Sequence, residues 1–196
     1  MLSVAEQLKI HLNKTVPFTA DNVITLLGLA KETVLKKKEF LFIEGDHAKY
    51  VGYLYKGCLR YYRTDEQGEE HIIYFAIEDW WIGDLSSFYS GIPTVFNLQA
   101  LEPTTLYLFT REKFDLLRQT IPAFDEYCKI RHAKAADART QTMMAQRMES
   151  AESRYSKLIN GFPDIFQRVP QHYIASYLGI RPQSLSRIRK KLSERK

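Results

Sequence analysis

Arg181, Gln183, Ser184, Ser186, Arg187, Arg189 and Lys190 crowd into a short stretch near the end of the chain, and their side chains suit one kind of chemistry. An arginine can donate two hydrogen bonds to O6 and N7 of guanine, and a glutamine can pair with N6 and N7 of adenine. Lysine, arginine and serine side chains can also hold phosphate oxygens, which positions a protein on a duplex without reading its sequence. From Arg181 to Lys196 there are seven Lys or Arg against one acid, Glu194, a local charge of +6. The whole 196-residue chain is only +5, so residues 1 to 180 carry the difference, a net −1. Basicity concentrated in this way is the footprint of the salt-dependent counterion-release term in nucleic-acid binding. A solvated basic tail would give the same charge, so the elements that carry these residues have to decide.

Those elements are legible in VPQHYIASYLGIRPQSLSRIRKKL, residues Val169 to Leu192. Gln171 to Leu178 is predicted as a short helix, with Ile174, Tyr177 and Leu178 at helical spacing. Gly179 supplies the permissive backbone of a tight turn, and Pro182 suits the first turn of a second helix. In that helix Leu185, Ile188 and Leu192 recur three and four residues apart and form the face to be buried. The opposite face carries Gln183, Ser184, Ser186, Arg187, Arg189, Lys190 and Lys191. Two helices joined by a short turn containing Gly follow the helix-turn-helix plan, whose second helix enters the DNA major groove.

The preceding chain changes its period twice. Ser3 followed by Glu6 forms a capping-box pattern opening a helix to about Asn13, and a second helix is expected from about Thr19 to Leu29. From Thr33 to Phe109 the pattern is one of β-prone runs, such as YVGYLYKG and EHIIYFAIE, broken by turn residues. About eight strands at that spacing favour a sandwich or jelly-roll barrel over alternating βα units. After the cap Thr110 the period is helical again, and Pro122 opens a long helix to about Met148. Phe124, Cys128, Arg131, Ala135, Ala138 and Thr142 fall on a heptad-like stripe of that helix. A helix this long would protrude from so small a domain unless covered, and pairing with the same helix of a second chain covers it economically. Met143, Met144 and Met148 define a neighbouring stripe that could serve instead, and packing wholly within one chain is the alternative. Another helix runs from Ser150 to Asn160, ended by Gly161 and Pro163. The division expected is residues 1–148, a β domain with its dimer helix (about 121–148), and 149–196, the DNA reader, with a hinge near Glu149 to Ser153.

Composition excludes several functions. No apolar run approaches a membrane span and no signal-peptide pattern is present. Cys58 and Cys128 are too few and too far apart for a disulfide framework or a cysteine-held metal site, so a reducing cytoplasm is the expected location. The histidines His11, His47, His71, His132 and His172 include no HxH pair and no HExxH motif, which argues against a metal-dependent jelly-roll enzyme. No nucleophile elbow, P-loop or dinucleotide fingerprint is present. No metal or cofactor is expected, although a haem held by His47 or His71 is conceivable. A helix-turn-helix used only for protein contacts is a further alternative, but it would not need the concentrated positive charge.

The order of jelly roll, long helix and helix-turn-helix resembles the cyclic AMP receptor protein and Fnr (Crp/Fnr) family of bacterial transcription regulators, from about residue 20 to 192. The most specific part is IASYLGIRPQSLSRIRKKL, Ile174 to Leu192. The resemblance implies an α+β chain: a cyclic-nucleotide-binding-like jelly roll, a dimerisation helix and a winged-helix-like reader with little room for its wing after residue 192. It implies a homodimer on palindromic DNA, contact with RNA polymerase, and a small-molecule effector whose identity is unknown. Carried over by position, Pro182, Gln183, Ser184, Ser186 and Arg187 face base edges, Ser184 and Arg189 hold phosphates, and Gln171, Arg181 and Lys190 complete the DNA-facing set. Pro182 stands where many members place a polar base reader. The effector segment matching the family's phosphate cassette is WIGDLSSFYSGIPTVFNLQA, with Gly83, Asp84, Leu85, Ser86, Thr94 and Val95 at the pocket positions. Asp84 replaces the cassette's Glu, and Thr94 and Val95 stand at or beside its Arg-Ser pair. A cyclic phosphate there would lack its charge-assisted bidentate partner, so tight cyclic AMP binding is not expected.

Overall fold

A computed structural model describes residues 2–194 of the chain; Arg195 and Lys196, part of the basic stretch, lie outside the described residues. The chain divides into two compact units, Met1–Tyr61 with Phe75–Lys134, and Tyr62–Tyr74 with Ala135–Lys196. The expected break after residue 148 therefore differs from the observed one. The boundary falls inside the long helix, and a segment of the β region is grouped with the C-terminal helices.

Unit 1 opens with α1 (Val4–Asn13), where Ser3 and Glu6 form the expected capping box, and α2 (Ala20–Leu29), capped by Thr19. Eight strands follow: β1 (Lys31–Leu35), β2 (Phe40–Phe42), β3 (Val51–Lys56), β4 (Leu59–Thr64), β5 (Glu70–Ala76), β6 (Trp81–Ile82), β7 (Asn97–Ala100) and β8 (Thr104–Phe109). They make two four-stranded sheets, ordered β1-β8-β3-β6 and β2-β7-β4-β5. This is the two-sheet architecture expected from the strand spacing, with one correction. Within the stretch read as β, Leu85–Ser90 forms a helix, α3, begun by Asp84 as N-cap and ended by Gly91 in the left-handed conformation. Six residues hold too few turns for a helical period to show against the alternating pattern around them.

Helix α4 (Arg111–Thr120) is capped by Thr110, and α5 (Pro122–Met148) is the long helix. Phe124, Tyr127 and Cys128 at its start join Leu8, Leu12, Leu26, Tyr53, Phe109 and Phe114 in one core. Trp81 sits among these rings, stacked on Phe109 at 6.0 Å and 5.6 Å from Phe124. Phe124 and Cys128, expected at the dimer seam, are 0% and 5% exposed within their own chain. Both belong to the core of their own chain. Fully burying each such side chain contributes about 1.5–3 kcal/mol. Arg118 on α4 reaches Asp125 on α5 at 2.7 Å, which fixes the corner between the two helices.

A polar network threads this core. Asp79 accepts from the Tyr53 hydroxyl (2.5 Å) and the Gln7 amide (3.1 Å), and His11 Nε2 meets the Tyr127 hydroxyl at 2.8 Å. Burial pushes the His11 imidazole down from 6.5 to about 4; the nearby Asp79 carboxylate opposes this, and Arg131 and Lys14 add to it. Above pH 6.5 neither folded nor unfolded His11 binds a proton, so pH has no effect through it. Between pH 6.5 and about 4 only the unfolded chain takes up the proton, and stability falls as pH falls. The melting temperature is expected to drop over that window in the wild type and to drop less in His11→Gln, measured by circular dichroism. Equal slopes for both proteins would exclude His11 as the source.

Candidate nucleic-acid interface

Unit 2 contains the end of α5, α6 (Ala151–Gly161), α7 (Ile165–Arg168), α8 (Gln171–Tyr177) and α9 (Pro182–Ser193). Ser150 caps α6 by accepting from the Ser153 amide. Tyr155, Leu158, Ile165, Val169, Ile174, Ala175, Leu178, Leu185 and Ile188 are buried in it. Of the apolar positions expected on the two helices, Ile174, Leu178, Leu185 and Ile188 form the inward face, while Tyr177 and Leu192 are half-buried.

The turn between α8 and α9 is dictated by Gly179, whose φ is +65°, a conformation that an L side chain rarely adopts. Its amide donates to Ser176 O at 3.0 Å, and the Ile180 amide donates to Ala175 O at 3.0 Å. This pair of bonds is the Schellman ending, which closes the last carbonyls of α8 and turns the chain sharply. Pro182 then opens α9 at its first position, where a missing N–H loses no bond.

With Leu185 and Ile188 inward, the helical period places Gln183, Ser186, Arg187 and Lys190 on one outward stripe. All four are exposed, as are Arg181, Pro182 and Gln171. Arg181 and Arg187 make no ion pair among the described residues. Ser186 Oγ donates to Pro182 O at 3.2 Å, and Lys190 lies 3.9 Å from Glu194. Ser184 is half-buried at the side of the stripe. Arg189 is also half-buried, and its guanidinium lies 4.8 Å from the centre of the Phe166 ring on α7. A cation over an aromatic face is attracted by the ring quadrupole, so Arg189 helps to seat α9 on α7, a role its position in the sequence did not suggest. Lys191 pairs with Glu152 on α6 at 2.5 Å. The basic cluster is thus split by geometry: Arg181, Arg187 and Lys190 face outward, while Arg189 and Lys191 tie the helix down.

The effector segment is organised differently. Asp84 Oδ1 accepts from the amides of Ser86 (3.0 Å) and Ser87 (3.3 Å), and Oδ2 accepts from Thr94 Oγ1 at 2.6 Å. Both carboxylate oxygens are occupied in capping α3 and pinning Thr94. Gly83 has φ +136°, and a Cβ there would lie 2.9 Å from Val51 Cγ1. Its role is therefore a close backbone approach. Leu85 and Ser86 start α3, and Val95 is exposed. Within unit 1, Arg60 is 3% exposed and donates from Nε to Gln99 Oε1 at 2.7 Å. An arginine in the run CLRYYRT reads as a surface residue until the strand is placed. His47 bonds Gly91 O at 2.8 Å and His71 pairs with Asp65 at 2.6 Å, so both named histidines have protein partners. Burial pushes the Cys128 thiol up to about 12, and Cys58 is buried as well. No helix among the described residues is long and apolar enough to cross a membrane.

Residues 32–120 match the family model of the cyclic nucleotide-binding domain. No curated protein sequence matches the chain. Among solved structures, CLP, the c-di-GMP responsive global regulator of Xanthomonas campestris, is similar at 15% identity and a TM-score of 0.72 over 90% of this chain and 92% of that one. FixK2 from Bradyrhizobium japonicum is similar at 18% identity and a TM-score of 0.71, over 85% of each chain. The catabolite activator protein of Thermus thermophilus aligns at 18% identity and a TM-score of 0.56, over 91% of this chain and 85% of that one. Residues 32–120 thus belong to the cyclic nucleotide-binding domain family, and the order of β-sheet domain, long helix and C-terminal helices is the fold shared with these solved structures.

Proposed function

We propose that the protein is a sequence-specific DNA-binding transcription regulator that acts in the cytoplasm as a homodimer on a palindromic promoter site. The observation that carries this is the exposed stripe of Gln183, Ser186, Arg187 and Lys190 on a helix held from behind by Leu185 and Ile188. Two such helices, related by a twofold axis, enter successive major grooves about 34 Å apart. Arg187 is the base reader with bidentate donors, Gln183 the second, and Arg181 and Lys190 neutralise phosphate. Gln171, at the start of α8, contacts the backbone. RNA polymerase is the expected protein partner.

Dimerisation is supported by the bare middle of α5. Every residue from His132 to Gln141 is exposed, and Met148 is 78% exposed. A lone helical segment so fully solvated is marginal in water, and Arg131, Ala135, Ala138 and Thr142 present small or flexible groups on one side of it. Ala138→Glu is expected to convert the dimer to a monomer in sedimentation velocity without lowering helix content. A variant that sediments like the wild type would place the seam elsewhere.

The effector, if one is bound, is not cyclic AMP, because Asp84 and Thr94 satisfy each other and Val95 offers no cation for the phosphate. Titration calorimetry should register no binding of cyclic AMP at micromolar concentrations, and micromolar or tighter affinity would overturn this. An effector acts instead by shifting which reader pose is populated, and it activates only if the DNA-binding pose also binds it better.

The split of the basic residues is testable on selected genomic fragments. Arg187→Ala is expected to lower specific affinity by about 1–3 kcal/mol and to relax base preference at one position per half-site. Arg189→Ala, which unseats α9 from Phe166 and removes a cation near phosphate, should weaken binding to all sequences alike. Indistinguishable effects on base preference would refute the assignment, and footprinting across a sequence series reads the difference.

A further inference from the structure

Arg154, on α6, joins the ends of two other helices. Its Nη1 donates to Glu149 O at 2.5 Å and to Ala145 O at 3.5 Å, carbonyls at the C-terminal end of α5. Its Nη2 donates to Leu178 O at 2.9 Å, the carbonyl at the C-cap of α8. Ala145 O also accepts from the Glu149 amide at 2.9 Å, whereas carbonyls at the very end of a helix lack intrahelical partners, and the C-terminal end carries the negative end of the helix dipole. A guanidinium spans two such ends because its donors form a rigid planar fork, a geometry that a lysine ammonium lacks.

Two residues before Leu178, the same end of α8 is held a second time. Ser176 Oγ donates to Glu70 O at 2.7 Å and accepts from the Ile72 amide at 3.1 Å. Both partners belong to β5, the outer strand of its sheet, and to the segment Tyr62–Tyr74 that is compact with the C-terminal helices. An outer strand leaves a row of N–H and C=O groups unpaired. One serine hydroxyl satisfies a donor and an acceptor of that row, as a neighbouring strand would.

Neither Arg154 nor Ser176 lies on the outward stripe of α9, so neither is placed to touch DNA. We infer that Arg154 and Ser176 are the positioning residues of the reader. Together they fix α8 against the end of α5 and the outer edge of β5. Through the Gly179 turn they thereby fix α9, and so set the half-site spacing that a pair of readers accepts. The assignment rests on the dimeric DNA-binding function proposed above and adds its residue-level geometry. It also makes the β4–β5 hairpin the part of the β region that reports to the reader.

The test uses the full-length chain, an isolated half-site, and palindromes whose centre-to-centre spacing is varied by single base pairs. Arg154→Gln and Ser176→Ala should bind the half-site like the wild type, while preference among spacings flattens by about tenfold in Arg154→Gln, the scale of one charge-assisted bond, and by less in Ser176→Ala, whose bonds are neutral. Arg154→Lys should fall between. Native-state hydrogen exchange gives a second readout: the Ile72 amide should exchange faster in Ser176→Ala, with the β3 amides unchanged. Wild-type spacing preference in both variants would overturn the inference. So would parallel loss of half-site and palindrome affinity, which would reduce both residues to a role in folding. If the wild-type protein selected no palindrome at all, the dimeric function itself would fall, and the positioning role with it.

Discussion

A helix of 27 residues cannot be covered by one end of a small domain, and α5 is buried over its first turns and bare beyond them. Phe124, Tyr127 and Cys128 lock the start of the helix into a core of aromatic rings around Trp81, and the Arg118–Asp125 pair sets its direction. From His132 to Gln141 the side chains are polar or small and exposed. Apolar burial at one end thus fixes the helix, while its middle, His132 to Gln141, stays exposed. Residues of α5 contribute to both compact units, as do those of β4 and β5.

The reader shows how local chemistry and packing share a task. Gly179 in the left-handed conformation, the two Schellman bonds and Pro182 at the start of α9 define the turn using only neighbours in sequence. The facing of α9 then depends on Leu185 and Ile188 finding an apolar partner surface. The concentrated positive charge serves two purposes. Exposed cations retain their attraction for phosphate, whereas Arg189 over Phe166 and Lys191 on Glu152 use charge to hold the helix in place.

In the β domain, the segment around Asp84 is tied into the protein's own hydrogen bonds. Within the residues that match the cyclic nucleotide-binding domain, Asp84 serves as N-cap of α3 and as hydrogen-bond partner to Thr94. A carboxylate with both oxygens accepting from protein donors has little capacity left for a ligand hydroxyl. Burial of Arg60 beside Gln99 shows that the domain still encloses a cation, held by its own side chains.

Much of this was legible in the sequence. Caps at Ser3 and Thr110, the glycine turn and the apolar spacing of Ile174, Leu185 and Ile188 are local patterns, and each formed as read. Local hydrogen-bond chemistry and helical periodicity need no distant partner, which is why they can be read from neighbouring residues alone. The short helix α3 was missed because its six residues cover fewer than two turns, too few for the helical period to show. Phe124 and Cys128 were misplaced because a heptad-like stripe identifies an apolar face without identifying what covers it. Arg154 and Ser176 carried no sequence signal at all: their partners lie up to about a hundred residues away in the chain, and several of those partners are backbone atoms. A backbone carbonyl or amide has no residue identity. Contacts to it are therefore invisible in the sequence and are decided only when tertiary packing brings the edge of β5 and the end of α5 beside the reader.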